Sequence, residues 1–368
     1  MANSRIGVGL IGVTPGRSWG AIAHIPALRA LPDFEVAAVA NSNADSAAAA
    51  AKALNLPAAY GSALELAADP KVDLVAVTVK VPQHFALVKA AVAAGKDVFC
   101  EWPLGNGLDE AVELDALARR AGVRTIIGLQ ARVAPVIHYV RDLLRDGFVG
   151  DVLSTTLVGS GMSWGAVMEK PNAYTGDKKS GASVLTIPFG HTVDAVCMCL
   201  GEFRTVNADL AVRRKSFTIA GTNETLPMTA EDQVAVTGTL ESGAVAAIHY
   251  RGGASRGTNL LWEINGTKGD LMVTAPAGHA QLTELSLFGG SGADRALKPM
   301  PLPKGYDNAP AAAQNVARNV ALLYQLYAKD RKDGTSLCPG FDVAVKRHRM
   351  IVAVEEAARS GHRIEVKV

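Results

Sequence analysis

Cysteine is scarce in this 368-residue chain, with four present: Cys100, Cys197, Cys199 and Cys338. Cys197 and Cys199 are separated by a single residue, where zinc knuckles space their thiols by roughly two to four. No metal is predicted, and the thiols are expected to be buried and reduced. An excess of one charge sign is also missing: 37 Lys and Arg stand against 35 Asp and Glu, a net charge of +2. A balance this even supplies no broad basic field for nucleic acid or an anionic membrane, so neither is expected as a partner. No run of about 18 apolar residues is free of charge, as a membrane-spanning helix requires. The opening MANSRIGVGLIGV lacks the pattern of a secretory signal, so a cytoplasmic location is expected. Aromatic residues make up only 5%, and no internal repeat or low-complexity linker is found.

What is there is the composition of a packed globular protein, 49% hydrophobic and 20% charged. The length implies two domains of about 100 to 200 residues each. Residues 5–13, RIGVGLIGV, form an apolar β-rich run that breaks at Thr14-Pro15-Gly16-Arg17-Ser18 and gives way to AIAHIPALRAL with helical spacing. The alternation recurs: FEVAAVA before SAAAAAKAL, DLVAVTV before a helix opening near Pro82, KDVFCE before LDEAVELDALARRAG, then VRTIIGL. Strands that are apolar on both faces and joined by single helices require a parallel sheet covered on both sides. Residues 1–131 therefore read as an α/β, doubly wound, Rossmann-type dinucleotide-binding domain. Beyond a helix at about 134–146, VLSTTLVGS, FRTVNADLAVR, DQVAVTGTL, AVAAIHYRG, LLWEING and DLMVTAP read as strands with few helices between them. TLESGAV and EINGTKGDL place Gly where hairpins turn. Residues 132–368 are expected to form an α+β domain with a large, mostly antiparallel sheet. Two helices, around 310–329 and 340–359, close the chain, and RIEVKV is a candidate edge strand.

The turn after the first strand is where such sheets receive a pyrophosphate, on backbone N–H groups leading into a helix. Here Gly12 opens the turn, Thr14 stands at the second glycine position of the usual fingerprint, and Arg17, Ser18 and Trp19 complete it. The second strand ends at Ala40-Asn41-Ser42-Asn43, without the Asp or Glu that accepts hydrogen bonds from the ribose of NAD. Asn41 and Ser42 would not repel a 2′-phosphate, and Arg17 could pair with it, so NADP is slightly favoured over NAD. Beside this stands the plainer reading of Arg17 as a solvated charge and Asn41 as a turn residue.

Residues 78–103, TVKVPQHFALVKAAVAAGKDVFCEWP, are similar to the glucose–fructose oxidoreductase, inositol dehydrogenase and rhizopine-catabolism family of dehydrogenases. The similarity rests on Pro82 to His84, Ala91 to Val98 and Glu101-Trp102-Pro103, and continues through GHTVD at 190–194, INGTKGDL at 264–271 and HRMIVAVEEAARSG at 348–361. GLIGVTPGRSW, TVKVPQH, EWPL and FGHTVD most resemble the subgroup that includes the yeast galactose-pathway repressor. The resemblance implies an open sheet in the second domain that binds substrate and supports a homodimer or homotetramer. It also implies cofactor contacts from Lys80, His84, Glu101, Trp102 and Gln130, and a sugar-like small-molecule substrate.

Family dehydrogenases manage the proton with the Lys of Glu-Lys-Pro and an Asp four residues before a His. Those positions hold Trp102 and Ile187 here, neither of which can exchange a proton. Only His191 of the trio remains, and it reads either as the proton carrier or as a helix brace. Tyr174 is a further catalytic candidate that could orient a substrate hydroxyl. Trp164 could pack on a sugar face and Arg132 could contact substrate, although each also has a purely structural reading. The expected activity is NAD(P)-dependent hydride transfer to or from a sugar, polyol or related hydroxy or keto compound. The alternative is a dinucleotide-binding regulator with little or no catalysis.

Overall fold

The computed structural model describes residues 5–367, and the chain packs into two compact units. The first comprises the chain up to Gln130 together with Asn308–Val345; the second comprises Ala131–Asp307 and the segment from Lys346 onward.

In the first unit the apolar runs form strands β1 (Ile6–Ile11), β2 (Phe34–Ala40), β3 (Ala59–Tyr60), β4 (Leu74–Val77), β5 (Asp97–Glu101) and β6 (Thr125–Gly128). They make one sheet in the order β3-β2-β1-β4-β5-β6, with every neighbouring pair parallel. All of β4 and nearly all of β1 are buried, as helices on both faces of a sheet demand. Helices Ala44–Leu54 and Ala63–Ala68 start where Asn43 and Ser62 accept hydrogen bonds from Ser46 N and Glu65 N. The doubly wound class expected from the sequence is what forms. The helix after β1 differs in detail, beginning with the π-turn Gly20–His24 before it tightens at Ile25–Arg29.

Helix Ala317–Asp333 packs with this first sheet, although the strands of the second unit immediately precede it. The loop that follows it is gathered onto Asp330, 2% exposed, which accepts from Thr335 Oγ1 at 2.5 Å, Leu337 N at 3.0 Å and Cys338 N at 2.7 Å. Burial alone would push the Asp330 carboxyl up, but these donors hold it below the usual carboxylate range. Tyr327 donates its hydroxyl to Asp97 Oδ2 at 2.6 Å, and Ile127 N on β6 donates to the Pro339 carbonyl at 2.8 Å.

The second unit holds a nine-stranded sheet. From one edge to the other its strands are Lys298–Pro299, Ser286–Ser291, Gly269–Ala275, Leu260–Gly266, Val152–Ser160, Val245–Arg251, Gln233–Leu240, Phe203–Ala211 and Ile364–Glu365. All neighbours are antiparallel except Val152–Ser160 with Val245–Arg251. RIEVKV thus supplies an edge strand. Side chains alternate across the sheet: Ala246, Ile248 and Tyr250 point into the core, and Val245, Ala247 and His249 point away. Helix Gly190–Leu200 covers the inner face, with Tyr250 Oη 2.7 Å from Thr192 Oγ1. Gly159 is required beneath that tyrosine, because a Cβ there would lie 2.1 Å from its ring. No helix among the described residues is long and apolar enough to cross a membrane.

Asp330→Ala removes the acceptor for three buried or part-buried donors. It is expected to lower unfolding free energy by about 3 kcal/mol at neutral pH in urea denaturation. Because the folded carboxyl is held below its ordinary range, this contribution is complete at neutral pH and fades as pH falls through the acid carboxylate range.

Candidate functional site

In the first unit the strand order reverses between β1 and β4, which places the ligand crevice of such sheets at their carboxyl ends. Gly12 leaves β1 with φ +92°, and a Cβ on it would lie 2.3 Å from Val79 Cγ1, so the turn admits only glycine. Two side chains then fix the turn. Asn41 accepts from Val13 N at 2.9 Å, and its Nδ2 donates to Val13 O at 2.9 Å and Ser46 O at 3.1 Å. Ser18 Oγ accepts from Thr14 N at 2.8 Å. Arg17, Ser42 and Lys80 are exposed. Trp19 is half-buried, and its indole Nε1 meets no acceptor among the described residues.

At the carboxyl end of β5, Glu101 accepts from Gln130 Nε2 at 3.0 Å and 2.8 Å on its two oxygens, and His24 Nε2 lies 2.8 Å from Oε1. Trp102 is 4% exposed, so its indole is largely enclosed. His84 is buried, with Nδ1 2.7 Å from the Pro103 carbonyl and Nε2 3.0 Å from that of Val79. Burial holds its imidazole below the ordinary range, against the upward pull of both carbonyls. His84 therefore braces the backbone after β4 to that after β5.

In the second unit His191 is 5% exposed at the start of helix Gly190–Leu200. Ile187 precedes it by four residues within the π-turn Leu185–Phe189, so the two lie on the same side of the winding chain. Trp164 is 3% exposed at φ +60°, a left-handed conformation in which a bulky side chain is strained. Its Nε1 donates to Thr175 O at 3.0 Å, and its ring stacks on His279 with centroids 6.4 Å apart and planes inclined by 14°. His279 Nε2 accepts from Met162 N at 3.4 Å, and the Gln281 side-chain amide is 3.2 Å from Nδ1. Burial, followed by the nearby His191, pushes His279 down to about 3. Tyr174 lies in the 3-10 turn Lys170–Gly176, where burial raises its phenol above the ordinary range. Arg132 grips Asp194 through Nε at 2.5 Å and Nη2 at 3.0 Å.

Within each unit some of the sequence-selected residues converge and others do not. Gly12, Thr14, Ser18 and Asn41 share one hydrogen-bonded turn, and Glu101 shares another cluster with Gln130. Trp164 and His191 both have His279 as a neighbour, a residue that no motif marks in PAGHAQL. His24 and Tyr324 were likewise missed as partners of Glu101.

These features define a Rossmann-type first unit joined to a sheet-based second unit. Family models agree in succession: the oxidoreductase family with NAD-binding Rossmann fold matches residues 6–129, and the Gal80p C-terminal domain matches residues 135–275. The chain is similar to the dehydrogenase aclE of Aspergillus oryzae, 30% identical over 373 residues that cover 98% of each chain. It is 32% identical over 305 residues to the galactose/lactose metabolism regulatory protein GAL80 of Kluyveromyces lactis, covering 77% of this chain and 66% of that one. Among solved structures, the super-repressor mutant Gal80(S2) of Saccharomyces cerevisiae superposes with a TM-score of 0.89. The two are 25% identical, with 99% of this chain and 98% of that chain covered. The chain belongs to the glucose–fructose oxidoreductase, inositol dehydrogenase and rhizopine-catabolism family, in a Gal80p-like subgroup.

The depressed His279 imidazole makes a pH prediction. Between about pH 6.5 and 3 the unfolded chain binds a proton there that the folded chain does not, so stability is complete above this window and falls as pH drops through it. His279→Gln is expected to flatten the pH dependence of stability between about pH 6 and 4 by about 1.4 kcal/mol per unit, measured by denaturant titration.

Proposed function

We propose that this chain is a nicotinamide-dependent oxidoreductase acting on a sugar, polyol or related hydroxy or keto compound, with NADP preferred to NAD and His191 as its proton carrier. The observation that carries the reading is the Gly12 turn, a glycine-only exit from β1 whose side-chain braces keep its shape. A cradle that a single Cβ would fill suits close approach of a pyrophosphate. Similarity to a dehydrogenase along nearly the whole chain supports the same reading.

When bound, the cofactor supplies or accepts the hydride at its nicotinamide ring. The chain's own residues have three tasks. Gly12, Thr14 and Ser18 shape the turn for the phosphates, and Trp19 and Lys80 flank it. Exposed Arg17 and Ser42 would meet the 2′-phosphate, at a strand end whose residues Ala40 to Asn43 include no carboxylate. His191 takes or returns the substrate hydroxyl proton at a ring nitrogen, while Tyr174 and Trp164 orient the substrate. Arg132 acts through Asp194, steadying the helix that carries His191.

A second reading, a dinucleotide-responsive regulator, is favoured by Trp102 and Ile187, where family enzymes carry their other proton-handling groups. In it, cofactor occupancy biases the surface offered to a protein partner.

Titration of the full chain with NADPH and NADH, followed by oxidised and reduced sugars and polyols, separates the two. The enzyme reading expects oxidation of the bound cofactor by a carbonyl member of the panel; firm binding without turnover across the panel transfers the case to the regulator. Arg17→Ala is expected to weaken NADPH about tenfold with little change for NADH. His191→Gln is expected to lower kcat by about a hundredfold or more while leaving cofactor affinity in place.

A further inference from the structure

Tyr324, His24, Glu101 and Gln130 form one hydrogen-bonded series inside the first unit. His24 is wholly buried, its Nε2 2.8 Å from Glu101 Oε1 and its Nδ1 2.8 Å from the Tyr324 hydroxyl, 300 positions away. A carboxylate can only accept, so the neutral tautomer that fits both contacts carries its hydrogen on Nε2 and presents its Nδ1 lone pair to the Tyr324 O–H. Burial, followed by the charge of Glu101, raises Tyr324 well above the ordinary phenol range, so it stays a donor. Gln130 adds two further contacts from its amide nitrogen. Every hydrogen in the series points toward Glu101. Phe99 and Tyr324 meet the His24 ring edge to face at 4.9 Å and 5.7 Å, which fixes its plane. On β6, a Cβ at Gly128 would lie 2.6 to 2.9 Å from the carboxylate atoms, so the neighbouring strand is kept clear for them.

The carboxylate is also placed where it can act. Glu101 ends β5, on the opposite side of the order reversal from β2, whose end lies beside the Gly12 turn. In such sheets the β1–β3 half takes one mononucleotide and the β4–β6 half the other, which on the reading above would be the nicotinamide. The Glu101 side chain keeps 13% of its surface exposed, while that of His24 keeps none. We propose that His24 and Tyr324 are positioning residues that hold Glu101 as a fixed negative charge beside the nicotinamide, so that the chain binds the oxidised, cationic ring more tightly than the reduced, neutral one. This rests on the reading of the first unit as a nicotinamide site. A fixed charge at short range in a partly dry site separates two ligands that differ by one unit of charge.

The test is equilibrium binding of NADP⁺, NADPH, NAD⁺ and NADH to the full chain, by calorimetry, for the wild type, Glu101→Gln and Tyr324→Phe. Glu101→Gln is expected to reduce the preference for the oxidised forms by about tenfold, through weaker binding of those forms alone. Tyr324→Phe should shift the same ratio in the same direction by less. Equal weakening of both forms, or no change in either variant, overturns the proposal, since a packing role does not sense ring charge. Thermal unfolding run alongside identifies a variant that fails to fold, and the other variant then decides. If the wild type binds no dinucleotide, the site reading falls and this inference with it; binding with an unchanged ratio in the variants removes this inference alone.

Discussion

The second unit depends on one buried carboxylate that compensates two guanidinium groups. Asp194 and Arg347 have no exposed side-chain surface, and Arg132 has little. Arg132 takes Asp194 in a two-pronged grip, Arg347 approaches Oδ1 at 3.3 Å, and Arg347 reaches on to Glu202 at 2.9 Å. Charges this deep are tolerated only when paired and hydrogen-bonded, and loss of one partner leaves the others stranded at a cost of about 3 to 5 kcal/mol. The network therefore fixes helix Gly190–Leu200 against the C-terminal helical segment, and with it the position of His191. Neighbouring packing follows: Thr192 meets Tyr250, Phe189 meets the same ring edge to face, and Gly159 is bare beneath it.

Much of the architecture was legible in the residues because its signals are local. Period-two and period-3.6 patterns, Gly at turns and unbroken apolar strands are each contained within about ten residues, and they yield the two large sheets and the edge strand at Ile364–Glu365. The return of Ala317–Asp333 to the first sheet has no such local signature. It depends on Tyr327 and Tyr324, whose side chains look ordinary until paired with Asp97 and His24 more than two hundred positions earlier. The same holds for the candidate sites. The Gly12 turn is a contiguous motif and was found as one, whereas His279 acquires meaning only by stacking on Trp164 from a separate loop. Arg132 could be read as a ligand contact because Asp194 gives no sign, in sequence, of being its partner.

The chemistry is divided unevenly between the two units. The first carries the braced Gly12 turn and the Glu101 cluster, whose side chains and backbone hold one another in place. The second carries the His191 imidazole, accompanied by the enclosed Trp164 indole and the second imidazole of His279. Enzyme and regulator both need the first set, and they part over whether a single imidazole suffices in the second.

Asn41 has a consequence for how this fold could change its cofactor. Its side chain works as a two-way clasp, accepting from Val13 N while donating to the carbonyls of Val13 and Ser46. An aspartate, the residue other Rossmann proteins use near this position to select NAD, could copy the first contact but would turn a second anionic oxygen against two carbonyls. The single substitution that most directly switches specificity elsewhere would here undo the loop it was meant to retune. A lineage carrying this clasp must alter its nucleotide choice somewhere other than at Asn41, or rebuild the turn in several coordinated steps.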